Sequence, residues 1–184
     1  MAHPYWPLFD VVVRTPHLEL RYPDDDLVVR LAALAAAGVH DPAFMPFSHP
    51  WTDRPPGELE RGTLQWHWRN RGTWSPAAWT CDFAVMIDAE PVGTQGLNAN
   101  DFTTLRTFET GSWLGQAHQG RGIGKEMRAA ILHFGFAGLG AEFATTGAFD
   151  DNDARSASPV PSGIDPTARR SRFVVGPGPA TSGP

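Results

Sequence analysis

The stretch His118-Gln119-Gly120-Arg121-Gly122-Ile123-Gly124-Lys125 decides the fold, because it joins a short apolar strand to an amphipathic helix. Its glycines let the backbone lie close to a ligand, since no side chain stands between them. Backbone N–H groups at a helix start lack intrahelical partners and, together with the helix dipole, attract anions. Arg121 and Lys125 bring positive charge to the same place. The stretch therefore predicts a phosphate or pyrophosphate site.

The stretch matches two other known glycine-rich phosphate-binding motifs less well. A Walker A loop needs a glycine where Gln119 stands and a Ser or Thr where Glu126 stands. A dinucleotide fingerprint needs a third glycine in place of Lys125, and Glu142, which lies twenty residues past Gly122, opens an apolar stretch rather than ending one. A nucleotide-binding module and a glycine turn that only caps a helix remain as alternatives.

The spacing Gln119-x-x-Gly122-x-Gly124 resembles the (Gln/Arg)-x-x-Gly-x-(Gly/Ala) loop of the GNAT family of N-acetyltransferases. In that family the loop holds the pyrophosphate of acetyl-coenzyme A (acetyl-CoA). Residues 15–21, 91–93 and 109–115 are similar to the ribosomal-protein (RimJ/RimL-like) branch, and the resemblance covers residues 15–151. It implies a mixed α/β fold, with antiparallel N-terminal strands followed by a β-α-β unit that binds the cofactor.

The resemblance also implies which residues form the site. The expected cofactor-binding residues are Trp113, Leu114, Gln119, Gly120, Arg121, Gly122, Ile123, Gly124, Lys125 and Asn152. A backbone N–H near Leu114 would polarise the thioester carbonyl. Glu109 is the candidate general base, and Ser156 is the candidate acid for the leaving thiolate. Ser156 follows Asn152 by four residues, whereas the family spacing is three.

The composition limits the classes of protein to which the chain can belong. The chain has 184 residues, 41% of them hydrophobic, which suits one globular domain. A net charge of −5 argues against a nucleic-acid partner. Cys81 lies in an apolar stretch and is predicted to be a core residue, and no histidine has metal-ligand spacing. We see no signal peptide or membrane span, which predicts a cytoplasmic protein.

Hydrophobic periodicity predicts the elements around the loop. Strands are expected at 11–13, 18–22, 79–87, 92–97, 107–114 and 142–146, and helices at 27–37, 57–69 and 123–137. The aspartates at 24–26 are expected to cap the first helix. In the second helix, Leu64 and Trp68 are expected on one face, and residues 66–68 either line a pocket or bury area. The last two strands should run parallel.

The family pattern ends abruptly near Asn152. Prolines at 159, 161 and 166 forbid a continuous helix. We therefore divide the chain into an arm (1–14), an acetyltransferase domain (15–151) and a divergent, disordered tail (152–184), without the family's final helix and strands. An altered reading frame in the gene is our hypothesis for this tail.

The sequence thus predicts an N-acetyltransferase that moves an acetyl group from acetyl-CoA to an amine, either a protein N-terminus or a small molecule. The alternative is a truncated relative that binds acyl-CoA but is catalytically weak. Dimers are common in the resembled branch, so a homodimer is compatible with the resemblance, although no residue pattern indicates it.

Overall fold

A seven-stranded mixed sheet forms the centre of the molecule. The computed structural model describes residues 3–47, 49–148 and 171–175. Within these ranges the spatial order of the strands follows the chain, and neighbours pair antiparallel except for the parallel pair β5 and β6. The predicted antiparallel N-terminal strands and the predicted parallel pairing of the two strands of the β-α-β unit are confirmed. The strands are β1 (Val12–Arg14), β2 (Glu19–Arg21), β3 (Trp79–Ile87), β4 (Glu90–Ala99), β5 (Thr107–Leu114), β6 (Phe143–Ala148) and β7 (Ser171–Val175).

The helices cover both faces of this sheet. They are α1 (Asp25–Ala36), α2 (Glu58–Gly72), the single turn α3 (Phe102–Leu105) and α4 (Ile123–His133), which continues as a π-helical turn (Phe134–Gly138). Asp24 caps α1 as predicted, since its carboxylate accepts a hydrogen bond from the Leu27 N–H at 2.8 Å. No helix in the described part of the chain is long and apolar enough to cross a membrane.

The side chains of β3 point alternately to the two faces of the sheet, and each face packs against a different layer of helices. Phe83 and Val85 belong to the main core with α4, whereas Ala84 and Met86 pack with Leu31 of α1 on the opposite face. The molecule is therefore a three-layer α/β structure, with α1 and α2 on one side of the sheet and α4 on the other.

The apolar stripe of α4 is confirmed as a core face, because Ile123, Met127, Ala130 and Ile131 are all buried. A fully buried aliphatic side chain of this size stabilises the fold by about 1.5–3 kcal/mol. Cys81 is also buried, as predicted, and burial raises the pKa of its thiol to about 12. This cysteine is therefore a protonated core residue.

Helix α2 differs from its prediction. Its buried residues are Leu59 and His67, while Trp66 and Trp68 are 47% and 48% exposed. Each indole N–H donates to a carboxylate, from Trp66 to Asp82 at 2.6 Å and from Trp68 to Asp25 at 3.2 Å. These polar contacts hold both rings at the rim of α2, so the expectation that the tryptophans simply bury area is wrong.

The end of the chain also differs from its prediction. Ser171–Val175 forms β7 and pairs antiparallel with β6, from Ala144↔Val175 to Ala148↔Ser171. The prediction that no further strand follows is therefore wrong for these five residues. A short apolar run paired with a neighbouring strand satisfies its backbone hydrogen bonds even among turn-forming residues. The rest of the predicted tail lies outside the described residues.

Candidate functional site

The glycine loop connects β5 to α4. Gly120 and Gly122 have φ angles of +72° and +81°, a left-handed conformation that side chains disfavour. A Cβ added at either residue would meet no described atom within 4 Å. Glycine is thus required here for the path of the backbone, and the space above the loop is open.

The start of α4 presents a row of backbone donors. The N–H groups of Lys125 and Glu126 donate to the Gly122 carbonyl at 3.1 and 3.3 Å. Among the described residues, the N–H groups from Gly120 to Gly124 have no backbone acceptor. A run of unpaired N–H groups at a helix N-terminus forms a binding site for an anion.

The Gln119 side chain fastens this loop to two distant elements. Its Nε2 donates to the Val39 carbonyl, which follows α1, at 2.6 Å and to the Leu114 carbonyl at the end of β5 at 2.9 Å. The Gln116 N–H also donates to the Gly38 carbonyl at 3.0 Å. The Gln119 amide therefore holds the loop in position by contacts within the protein.

Beside the loop, β5 and β6 separate. Their last paired residues are Thr110 and Thr146, and β5 continues beyond this pair to Leu114. The Gly115 N–H donates to the Val92 carbonyl on β4 at 3.0 Å. Successive N–H groups of an extended strand point to alternate sides. The Leu114 N–H is therefore directed away from β4, towards the opening between β5 and β6.

The charged groups around the loop have distinct roles. Arg121 and Lys125 are exposed, and Arg128 is half-buried. Glu126 is turned towards the segment before β2, where the Thr15 hydroxyl donates to its carboxylate at 2.5 Å and the His17 N–H donates at 3.2 Å. The hydrogen bond from Thr15 is the main cause that lowers the pKa of Glu126. The Glu126 carboxylate is thus bound by the segment before β2 and does not pair with Arg121 or Lys125.

The other predicted site residues lie on β5 or outside the described ranges. Glu109 is half-buried on β5, one residue before the last paired position. Trp113 packs against Trp51 at a ring separation of 5.7 Å on the side of α1 and α2, so its ring lies on the face opposite to α4. Asn152 and Ser156 fall outside the described residues, and their predicted roles stay predictions.

Sequence reasoning missed one polar pair near the opening. Asp82 on β3 accepts the indole hydrogen bond of Trp66, and its carboxylate lies over Gly96 of β4. No local pattern indicates this arrangement, because it depends on the register between strands. Within the described ranges there is no group of three or more His, Cys, Asp or Glu side chains that could hold a metal ion.

This combination of a mixed sheet, an opening between parallel strands and a glycine loop at a helix start defines an α/β protein with an anion site beside the opening. The model of the acetyltransferase (GNAT) domain matches residues 17–157. The chain belongs to this family, and it is therefore an acyltransferase of the N-acetyltransferase type.

Solved structures of similar fold include ribosomal-protein acetyltransferases. RimL, the ribosomal L7/L12 alpha-N-protein acetyltransferase, in complex with coenzyme A is 20% identical, with a TM-score of 0.62 over 78% of each chain. RimJ of Mycobacterium smegmatis with a CoA disulfide is 17% identical, with a TM-score of 0.62 over 78% of this chain and 69% of RimJ. A ribosomal-protein-S5-alanine acetyltransferase from Vibrio fischeri is 17% identical, with a TM-score of 0.58 over 79% of this chain and 78% of that one. At these identities the likeness concerns the fold.

Proposed function

We propose that this protein transfers the acetyl group of acetyl-CoA to the nitrogen of an amine, either a protein N-terminus or a small molecule. The observation that carries the proposal is the donor row from Gly120 to Gly124, which begins next to the opening between β5 and β6. The family uses acetyl-CoA, and RimL has been solved with coenzyme A. These facts support acetyl-CoA as the co-substrate.

The proposed cofactor site has two parts. The pyrophosphate would accept hydrogen bonds from the donor row, and Arg121 and Lys125 would add charge attraction. The pantetheine arm would extend into the opening beside Leu114, so that the thioester lies next to the Leu114 N–H. Trp113 would contribute through its backbone, since its side chain packs on the other face.

In the proposed reaction a neutral amine attacks the thioester carbonyl carbon and a C–N bond forms. The C–S bond then breaks, the thiolate leaves and takes up a proton, and the amine nitrogen loses one. The Leu114 N–H would stabilise the oxygen anion that develops on the carbonyl. We propose Glu109, on the same strand, as the base that removes the nitrogen proton, and Ser156 as the proton donor to the thiolate.

The first experiment is a calorimetric titration with acetyl-CoA, with ATP and NAD as comparison ligands. A thiol-release assay with mixed amine acceptors follows. Binding of acetyl-CoA together with amine-dependent thiol release is the expected result. Preference for ATP or NAD would contradict the proposal, and binding without transfer to any acceptor would favour the catalytically weak acyl-CoA binder.

A change at Glu109 tests the proposed base. Glu109→Gln is expected to lower kcat by roughly 10²-fold or more, which is the usual contribution of general base catalysis. The affinity for acetyl-CoA, measured by calorimetry, should fall by much less than kcat. A kcat close to that of the original protein would show that another group takes the proton.

A further inference from the structure

On the α2 side of the sheet, two adjacent positions on β4 and β5 are glycines, and we call the strip of surface beside them the groove. Gly96 on β4 lies directly opposite Gly111 on β5. Gly111 is exposed, and a Cβ at this position would meet no described atom within 4 Å. A Cβ at Gly96 would instead overlap the carboxylate of Asp82. Gly96 and Gly111 therefore contribute no side chain between this carboxylate and β5.

The Asp82 carboxylate is held in the groove by a neutral donor. Trp66 donates its indole N–H to Oδ2 at 2.6 Å, which leaves Oδ1 as the oxygen nearest Gly96. In the described part of the chain, no Arg, Lys or His side chain lies within ion-pair distance of Asp82. The buried imidazole of His67 interacts electrostatically with Asp82, but burial lowers the pKa of His67 and so favours its neutral form. A carboxylate with no cation within ion-pair distance, next to an indole ring that is 47% exposed, is a favourable place for a positively charged ligand group.

The groove leads to the opening between β5 and β6. Gly111 is the first residue of β5 after the last paired position, Thr110. Glu109 and Trp113 flank Gly111 on the same face of the strand, because side chains alternate along it. Neighbouring strands lie about 4.8 Å apart, so the carboxylate over β4 is one to two strand spacings, roughly 5–10 Å, from the opening. A nitrogen that reacts in the opening therefore cannot also contact Asp82.

We propose that this groove binds the acceptor, and that the acceptor carries a second positively charged group besides the amine that is acetylated. Asp82 binds the second group through Oδ1, and the Trp66 ring covers it. Gly111 is exposed and bears no side chain, so it leaves room for the linking chain between the two positions. This inference rests on the proposed function, since it names the class of amine that the acetyl site takes. A diamine and a peptide with a basic residue next to its N-terminus share this chemistry.

Matched acceptors provide the test without any mutation. The kcat/KM of thiol release is measured with diaminopentane against pentylamine, and with peptides whose second residue is lysine against norleucine. We expect the dicationic member of at least one pair to be preferred by about tenfold or more, as for one charge-assisted hydrogen bond. If the dicationic acceptor is preferred only within the peptide pair, the natural acceptor is a protein N-terminus rather than a diamine. Equal rates within both pairs overturn the inference.

Single substitutions then test whether the preference for the dicationic acceptor arises in the groove. Asp82→Asn keeps the shape of the side chain and removes its charge, so the preference for the dication should collapse, mainly through a higher KM. Trp66→Phe keeps a ring but removes the N–H donor, and it should reduce the preference in part. Asp88→Asn is the control, because Asp88 is an exposed aspartate in the β3–β4 turn. A preference that survives Asp82→Asn overturns the assignment.

The same assays separate this inference from the proposed function. If pentylamine is acetylated as well as diaminopentane and the two peptides react equally, the acetyltransferase function stands and the dication site is overturned. If acetyl-CoA does not bind and no amine is acetylated, the proposed function fails, and the dication site fails with it.

Discussion

Gly122 is the residue whose conformation the loop most depends on, because its φ of +81° places the first donors of α4. We predict that Gly122→Ala weakens acetyl-CoA binding by at least tenfold, since the Cβ strains the backbone by about 1–2 kcal/mol and enters the ligand's space. Calorimetric titration measures this change. The control is Gly72→Ala at the end of α2, where a Cβ meets nothing within 4 Å. Unchanged affinity in Gly122→Ala would contradict the assignment of the loop.

Gln119 holds the loop through hydrogen bonds within the protein, so its replacement should affect the stability of the fold as well as ligand binding. Gln119→Ala removes hydrogen bonds to the Val39 and Leu114 carbonyls, each of which contributes about 0.5–1.5 kcal/mol. We predict a lower free energy of unfolding in urea, together with weaker acetyl-CoA binding. Gln116→Ala is the control, because Gln116 is bound to Gly38 through its backbone N–H. Equal stability of the two variants would show that the Gln119 amide does not hold the loop.

The loop could be predicted from the sequence because the residues that determine its conformation are neighbours in the chain. Glycines two residues apart, followed by an apolar stripe, determine both the turn and the start of α4. The partner of Gln119 could not be found in this way, since Val39 lies eighty residues earlier in the chain. The groove at Gly96 and Gly111 was missed because it arises from strand register, which single-strand patterns do not specify.

At the scale of elements, the first turn of α4 is joined to the segment before β2 by Glu126. Its hydrogen bond from the Thr15 hydroxyl and its contacts with His17 lower the pKa of its carboxyl below the ordinary value of 4.5. A lowered carboxyl pKa stabilises the folded state above pH 4.5, and this stabilisation is lost as the pH falls through the pKa of the folded state.

We therefore predict that Glu126→Gln lowers the Tm at neutral pH, and that its difference from the original protein shrinks as the pH falls below 4.5. Thermal unfolding followed by circular dichroism across this pH range provides the measurement. Glu142→Gln, which changes an exposed carboxylate, is the control. A difference in Tm that does not vary with pH would mean that the carboxylate charge does not contribute to the link.

At the scale of the whole molecule, β7 completes the sheet next to the opening. A chain that ends at residue 170 lacks β7 and leaves β6 as an unpaired edge strand, which promotes association with other chains. We predict a lower Tm and concentration-dependent aggregation, measured by light scattering. A chain that ends at Val175 is the control, because it keeps β7. Identical behaviour of the two chains would show that the β6–β7 pairing contributes little to stability.

The order of the sheet has a consequence for how the protein folds during synthesis. Because spatial order follows chain order, β1 to β5 can each pair with the preceding strand as it leaves the ribosome. The contacts of β1 with β2, of β3 with β4 and of β4 with β5 need little loop closure, whereas β3 reaches β2 only after α1 and α2. The parallel pairing of β6 with β5 must wait for α4 to cross over. In the nascent chain the proposed acceptor groove on β3, β4 and β5 can therefore form before the loop that we propose to bind the phosphate.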